Sequence, residues 1–297
     1  MTNQIPPLNL SRFSLVILTI IAMVLWGLSW TNAKIVGNYG DAPLMMFWRF
    51  IFATIVFTPV VILSGNSFKL PKPGLRYVII NAIFMTSYNY FYFKGTQTGL
   101  AGTGGILVTT LNPILTTLFA TIIFHDKLPK KNIIGLFLGF CGGGIIMRLW
   151  IIDPHELIQS GNLFFLFASL SWAIVTLNTS RSKGFVSFIP YSFWCFFLAS
   201  VISLLVAING PILVVFTFDR IFWLNMMLLS IGAMAYGTSI YFMASLHLGA
   251  QRASSFIFSV PIIAMGFAMI FLHEKITLSN LVGGILTMTA VYLINKK

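Results

Sequence analysis

Acidic residues are nearly missing from this chain. Its 297 residues include six Asp and Glu against eighteen Lys and Arg, and charged residues of both signs make up only 8%. An ordinary globular domain carries roughly a quarter, so these charges are too few to clothe a soluble surface. Cysteine is scarcer still. Only Cys141 and Cys195 occur, both inside apolar stretches, which argues against a disulfide framework or a cysteine metal site. His155 and His247 are isolated, without metal-ligand spacing. There is no Gly-x-x-x-x-Gly-Lys-(Ser/Thr) phosphate loop, so no work is driven here by ATP hydrolysis through that motif.

What the chain has instead is apolar length: 58% of it is hydrophobic and the mean hydropathy is +0.92. A helix crossing the hydrocarbon layer needs about 20 apolar residues, and the scarce charges fall at that spacing. Stretches without Asp, Glu, Lys or Arg run 13–33, 50–68, 77–93, 95–125, 132–147, 157–180, 184–218, 221–251, 253–273 and 276–295, ten candidate spans. The short one at 132–147 can be lengthened by snorkelling of Lys131 and Arg148. The first resembles a secretory apolar core but runs on to Ala33 without an Ala-x-Ala cleavage site, so it is expected to stay in the mature protein.

A net charge of +12 would suggest nucleic acid for a soluble chain, but here the cations must first be assigned to sides of a membrane. With the N-terminus inside, twelve fall on inner segments (Arg12, Lys69, Lys72, Arg76, Lys127, Lys130, Lys131, Arg181, Lys183, Arg252, Lys296, Lys297) and five on outer ones (Lys34, Lys94, Arg148, Arg220, Lys275). Five of the six acidic residues fall outside. Both termini are therefore expected in the cytoplasm, and no nucleic-acid partner is expected.

A shift of 148 lays Phe124-His125-Asp126-Lys127-Leu128 on Leu272-His273-Glu274-Lys275-Ile276, Pro113 on Pro261, Asn132 on Asn280 and Gly135 on Gly283. Slightly different shifts pair Trp26 with Trp172, Trp48 with Trp194, and Tyr92-Phe93 with Tyr241-Phe242. Each copy holds five spans, an odd number, so the second must lie inverted, as in many secondary transporters. The expectation is an all-α integral membrane protein of ten transmembrane helices in two inverted five-helix repeats, 1–150 and 161–297, joined by a loop at 151–160.

The early Trp26-Gly27-Leu28-Ser29-Trp30 followed by Lys34, the Phe47-Trp48-Arg49-Phe50 run, and the Pro113 segment ending in His125-Asp126-Lys127-Leu128 resemble the EamA family of the drug/metabolite transporter superfamily. The likeness covers nearly the whole chain, and its most specific element is the paired ending after Pro113 and Pro261. It implies ten helices, both termini inside, a bacterial inner (cytoplasmic) membrane, and a carrier, since many members export amino acids or other metabolites and some import.

Several polar and aromatic positions are candidates for a substrate cavity. Trp26 and Trp30 stack at i, i+4. Asn81, Tyr88 and Tyr92 recur at i, i+7, i+11, matched by Ser230, Gly237 and Tyr241, while Ser169, Trp172, Thr176 and Thr179 share a face. Any one of these aromatics can equally be packing or an interfacial belt. As four stripes in repeat-related helices they point to an inward cavity, because lipid offers Asn, Thr and Tyr no hydrogen bonds. Pro113 and Pro261 each remove a backbone donor within an apolar run, freeing the carbonyls of Thr109 and Ile257. Asn112 adds a side chain at that level, and the prolines read either as packing kinks or as hinges. Arg49, roughly 9 Å inside a helix that begins near Pro43, is either an interfacial anchor or a grip for a substrate carboxylate or phosphate. The glycines at 135, 139 and 143 clear one helix face, for packing or for sliding.

No Asp or Glu lies mid-span, which argues against a carboxylate proton relay. The expected activity is secondary transport, export on the strength of the resemblance, of small organic metabolites such as amino acids by alternating access. The expected partners are a small-molecule substrate and the lipid bilayer, with no cofactor. A non-transporting membrane scaffold is the first alternative. A lipid-modifying enzyme is the second, but its only candidate groups, His125-Asp126 and His273-Glu274, fall on opposite sides of the membrane.

Overall fold

The computed structural model describes residues 12–125, 130–149 and 160–295, and every regular element among them is helical. The first five are α1 (Arg12–Val36), α2 (Ala42–Leu63), α3 (Lys72–Thr98), α4 (Ala101–Phe124) and α5 (Lys130–Met147). There follow α6 (Asn162–Arg181), α7 (Phe188–Ala207), a 3-10 turn at Ile212–Thr217, and a long rod made of α8 (Arg220–Met227), a π-helical stretch (Leu228–Thr238) and α9 (Ser239–Leu248). The next segment is interrupted: α10 (Ala250–Ser255), a 3-10 turn at Phe256–Ser259 and α11 (Val260–Leu272); α12 (Leu278–Asn295) ends the described chain. Six helical stretches have the length and apolarity to cross a membrane: Ser14–Val36, Ala42–Leu63, Ala101–Ile123, Asn162–Arg181, Phe188–Ala207 and Arg220–Leu248. Shorter apolar helices cover Ile133–Met147, Val260–Leu272 and Leu278–Ala290. The Asp126-Lys127-Leu128 half of the repeated ending, His155 and nearly all of the 151–160 loop lie outside the described residues.

The local rules explain where charge spacing misjudged the ends. The α2 helix starts well before the charge-free run at 50–68 because Asp41 caps it, its carboxylate accepting from the Leu44 N–H at 3.0 Å, with a proline in the first turn. A cap of this kind is worth about 1 kcal/mol, and it carries Arg49 into the helix interior. The run at 184–218 is one helix only to Ala207; beyond Pro211 the chain forms the separate 3-10 turn. Pro113 sits inside α4, as expected. Pro261, expected within a continuous helix, instead occupies the first turn of α11 after a 3-10 turn.

Packing exchanges the two halves. The most extensive helix–helix contacts are α5 with α12, α3 with α6, and α2 with α7, followed by α4 with α6 and with α11, and α1 with α11 and with the π stretch. At the α5–α12 crossing Gly139 faces Ala290 and Gly142 faces Thr287, and a shift of 148 converts either contact into the other. A Cβ added at Gly139 would also overlap the Ile114 side chain. Both repeat endings stop in the same way: His125 (φ 56°) and His273 (φ 55°) are left-handed caps whose N–H groups bond to Ala120 and Ala268.

Loops gather at two ends, separated by the 22 residues of α2, about 33 Å at 1.5 Å per residue. At one end the Lys34 ammonium donates to the Gly99 carbonyl (2.9 Å), Gln97 to the Gly40 carbonyl (2.7 Å) and the Tyr39 hydroxyl to Asp219 (2.7 Å). There too Glu274 accepts from the first free N–H groups of α4, at Ala101 and Gly102, both at 2.8 Å. At the other end the Trp194 indole donates to the Phe68 carbonyl at 2.8 Å and Tyr77 stacks on Phe185 at 5.4 Å.

Candidate functional site

Between the halves lies a cavity walled by aromatic rings. Trp26 and Trp30 reach it from α1, Tyr88 from α3 and Trp172 from α6. Trp26 and Trp172, paired by the repeat, meet edge to face at 5.4 Å, and Tyr88 lies 4.6 Å from Trp172. The Trp26 indole N–H donates to the Ala233 carbonyl at 2.9 Å, which fixes that ring against the π stretch. Stretches of this kind recur at functional sites, and this one brings Met234 and Thr238 into the wall.

Two polar side chains, from two different helices, line this aromatic shell. Arg49 of α2 is only 4% exposed. It does not extend back to the helix end; its Nη1 donates to Asn89 Oδ1 at 2.9 Å, and its guanidinium lies 5.0 Å from the centroid of the Tyr92 ring. Asn89 in turn donates to the Met85 carbonyl at 2.9 Å. The Arg49 Nε has no partner, and no described carboxylate meets this side chain. Asn112 of α4, 1% exposed, leaves both Nδ2 and Oδ1 without a protein partner. Each unsatisfied buried group costs about 1–3 kcal/mol, so three such atoms at one cavity are expensive unless something polar visits them. About 450 Å3 of space separates the wall atoms, but only about 30 Å3 of it admits the centre of a water-sized sphere. That is room for about two waters, so a metabolite enters only if the helices part.

Of the ten positions singled out in the sequence, Trp26, Trp30, Arg49, Tyr88, Asn112 and Trp172 line this cavity. Three stand behind its wall. The Tyr92 hydroxyl donates to the Ser29 carbonyl at 2.6 Å, its ring 4.7 Å from Trp30. Thr176 and Tyr241 share a hydrogen bond at 2.9 Å, and Tyr241 packs on Trp26 at 4.9 Å. Asn81 lies elsewhere: it donates to Thr179 Oγ1 (2.7 Å), accepts from Asn178 Nδ2 (2.6 Å), and Thr179 meets the Tyr191 hydroxyl at 3.3 Å. Pro113 is one residue from Asn112, while Pro261 faces a neighbouring groove. Sequence reasoning missed Ser29 and Thr238 as lining residues, named Thr109 and Ile257 only for their carbonyls, and missed Asn89 as the partner of Arg49. Asn89 was accessible in principle: an in-span arginine needs an acceptor, and Asn89 lies one turn from Tyr92 on α3.

The model of the EamA-like transporter family matches residues 13–148 and again 159–296. A Bacillus subtilis protein named uncharacterized transporter YvbV is 25% identical over 281 residues, 93% of this chain and 89% of that protein. An Escherichia coli protein named probable amino-acid metabolite efflux pump is 23% identical over 292 residues, 93% of each. One solved crystal structure superimposes with a TM-score of 0.69 at 16% identity, covering 96% of this chain and 97% of that one, a likeness of fold.

Proposed function

Because this chain belongs to the EamA-like transporter family and is a multi-pass membrane protein, we propose that it is a secondary carrier of small organic metabolites, working by alternating access around the Trp26–Arg49–Asn112–Trp172 cavity. The single observation that carries this reading is the cavity itself, closed to about two waters yet holding unpaired atoms of Arg49 and Asn112. A packed scaffold gains nothing from leaving such atoms unmatched, whereas a carrier needs polar groups that a substrate completes.

Ten crossings in two inverted repeats, 1–150 and 161–297, are the architecture we propose, supported by the exchange of the Gly139–Ala290 and Gly142–Thr287 contacts under the 148-residue shift and by the matching left-handed caps. The loops tied at alternate ends agree with it. Such a pseudo-two-fold arrangement lets two related shapes open to opposite sides. Arg49 suits a carboxylate and the rings suit an apolar or cationic part, so a zwitterion such as an amino acid satisfies both. Export from the cytoplasm, across a bacterial inner membrane with both termini inside, is the proposed direction and setting. The efflux-pump name of one relative supports it.

The test is counterflow in proteoliposomes with a panel of labelled amino acids. Accumulation of at least one of them above protein-free vesicles, lost on Trp172→Ala at equal incorporation, is the expected result. A filled core that carries nothing is the second reading, favoured by the small free volume, and it predicts no accumulation for any compound in the panel.

A further inference from the structure

A second and larger concavity runs along the lipid-facing side of the α11–α12 hairpin. Ile106 of α4 forms its floor; Met265 and Met269 of α11 and Leu281, Ile285 and Met288 of α12 form its walls. It offers about 460 Å3 to water-sized spheres. Its one polar side chain, Asn280, is buried and donates to Thr103 Oγ1 at 3.0 Å, so the groove is apolar almost throughout. Its rim is exposed, with Ile262 at 64% and Ile285 at 57%. Between Asn280 and Met288 it follows α12 for about 12 Å, within the roughly 15 Å depth of one hydrocarbon leaflet.

The mouth of the groove, at Ile276, carries two cations. Lys275 is exposed in the α11–α12 turn, and Arg148, also exposed, donates through Nε to Ser279 Oγ at 2.8 Å. Among the described residues, the acid beside them is Glu274, and both its carboxylate oxygens are committed to the α4 backbone. Apolar depth of one leaflet beneath a basic mouth is the chemistry of an anionic lipid. We propose that this groove binds one acyl chain of an acidic phospholipid, with its phosphate against Arg148 and Lys275. The assignment is independent of what the central cavity carries.

Two glycines make the test clean. A Cβ added at Gly266 meets nothing within 4 Å, and one at Gly284 meets only Ile106 at 3.7 Å, so Gly266→Leu and Gly284→Val are expected to project into the groove and narrow it. Native mass spectrometry of the delipidated full chain, titrated with phosphatidylglycerol and phosphatidylcholine of identical acyl chains, reads the first bound lipid. The expected result is phosphatidylglycerol binding roughly fivefold or more tighter, the scale of one basic residue at a membrane surface. Arg148→Gln with Lys275→Gln should bring the two lipids level, and either glycine variant, with an unchanged or raised melting temperature, should weaken both. Equal affinities for the wild type overturn the proposal. So does tight binding that survives both glycine variants, and so does a dimer that these variants dissolve, which would make a second copy the occupant.

Discussion

Two buried polar clusters lie within this bundle, and they are opposite in kind. Around Asn81, at the α3–α6 contact, the side-chain amide both donates and accepts, and Asn178 also reaches the Tyr77 carbonyl at 2.7 Å. Around Arg49 and Asn112, at the central cavity, three polar side-chain atoms have no partner. In an apolar medium the first arrangement is glue, since every group gained on folding is one that lipid could not satisfy. The second is a standing cost, and costs of that kind persist at functional sites. Saturation of hydrogen bonds distinguishes these two clusters; elsewhere the unpartnered buried atoms are scattered single oxygens, such as those of Ser192 and Ser203, whereas the cavity gathers a guanidinium nitrogen and both ends of a carboxamide.

The comparison breaks most visibly if the Asn81 cluster is opened. Asn81→Leu takes one hydrogen bond each from the Thr179 hydroxyl and the Asn178 amide, which keep Tyr191 and the Tyr77 carbonyl as partners, and is expected to lower stability by about 1–2 kcal/mol. In a detergent melt the midpoint should drop while flux per folded molecule stays near wild type; an unchanged midpoint would erase the distinction. Arg49→Gln acts at the other pole. It should cut flux of acidic and zwitterionic compounds about tenfold, equivalent to about 1.4 kcal/mol, with abundance retained, and undiminished flux would remove Arg49 from the site. Asn112→Ala sharpens the contrast, because no protein partner is left stranded: the melting midpoint should hold or rise while transport slows severalfold. Pro113→Ala restores a backbone donor within α4 and is expected to keep the fold and slow turnover; a fully active variant would reduce that proline to packing.

The smallest effect belongs to an exposed pair. Asp219 has its carboxyl held below the usual range by the Phe222 N–H and then by the Tyr39 hydroxyl. A depressed folded value means the stabilisation is fully present above the ordinary carboxylate pKa and is lost as pH falls through the lowered one. Melting curves should therefore lose a small increment only below about pH 4, and Asp219→Asn should abolish that increment alone.

Much of the frame was legible because a bilayer permits so few solutions: charges had to sit at helix ends, and helices were the only segments free to lie between them. Arg49 is the exception that charge spacing could not handle. Its meaning depended on an aspartate cap eight residues earlier and on an asparagine in another helix, both matters of local chemistry and tertiary contact. The aromatic stripes identified the helices that face inward, and Trp26, Tyr88 and Trp172 meet as their periodicity suggested. Asn81 shares a face with Tyr88 yet ends in the saturated cluster, because a stripe two turns long passes through more than one environment. Nor does periodicity announce a π stretch, so the alignment of Ser230 and Gly237 with Tyr241 assumed a regular winding that residues 228–238 do not have.

That altered winding gives the chain a particular tolerance of changes in length. A π turn carries about one residue more than the α turn it replaces, so losing a single codon between Leu228 and Thr238 would let the rod revert to ordinary α-helix and leave Tyr241 near Trp26 and Thr176. The same loss within α8, where the winding is regular, would turn everything beyond it by about 100°. Natural variants should therefore gain or lose a residue within 228–238 more readily than within the flanking α-helical turns.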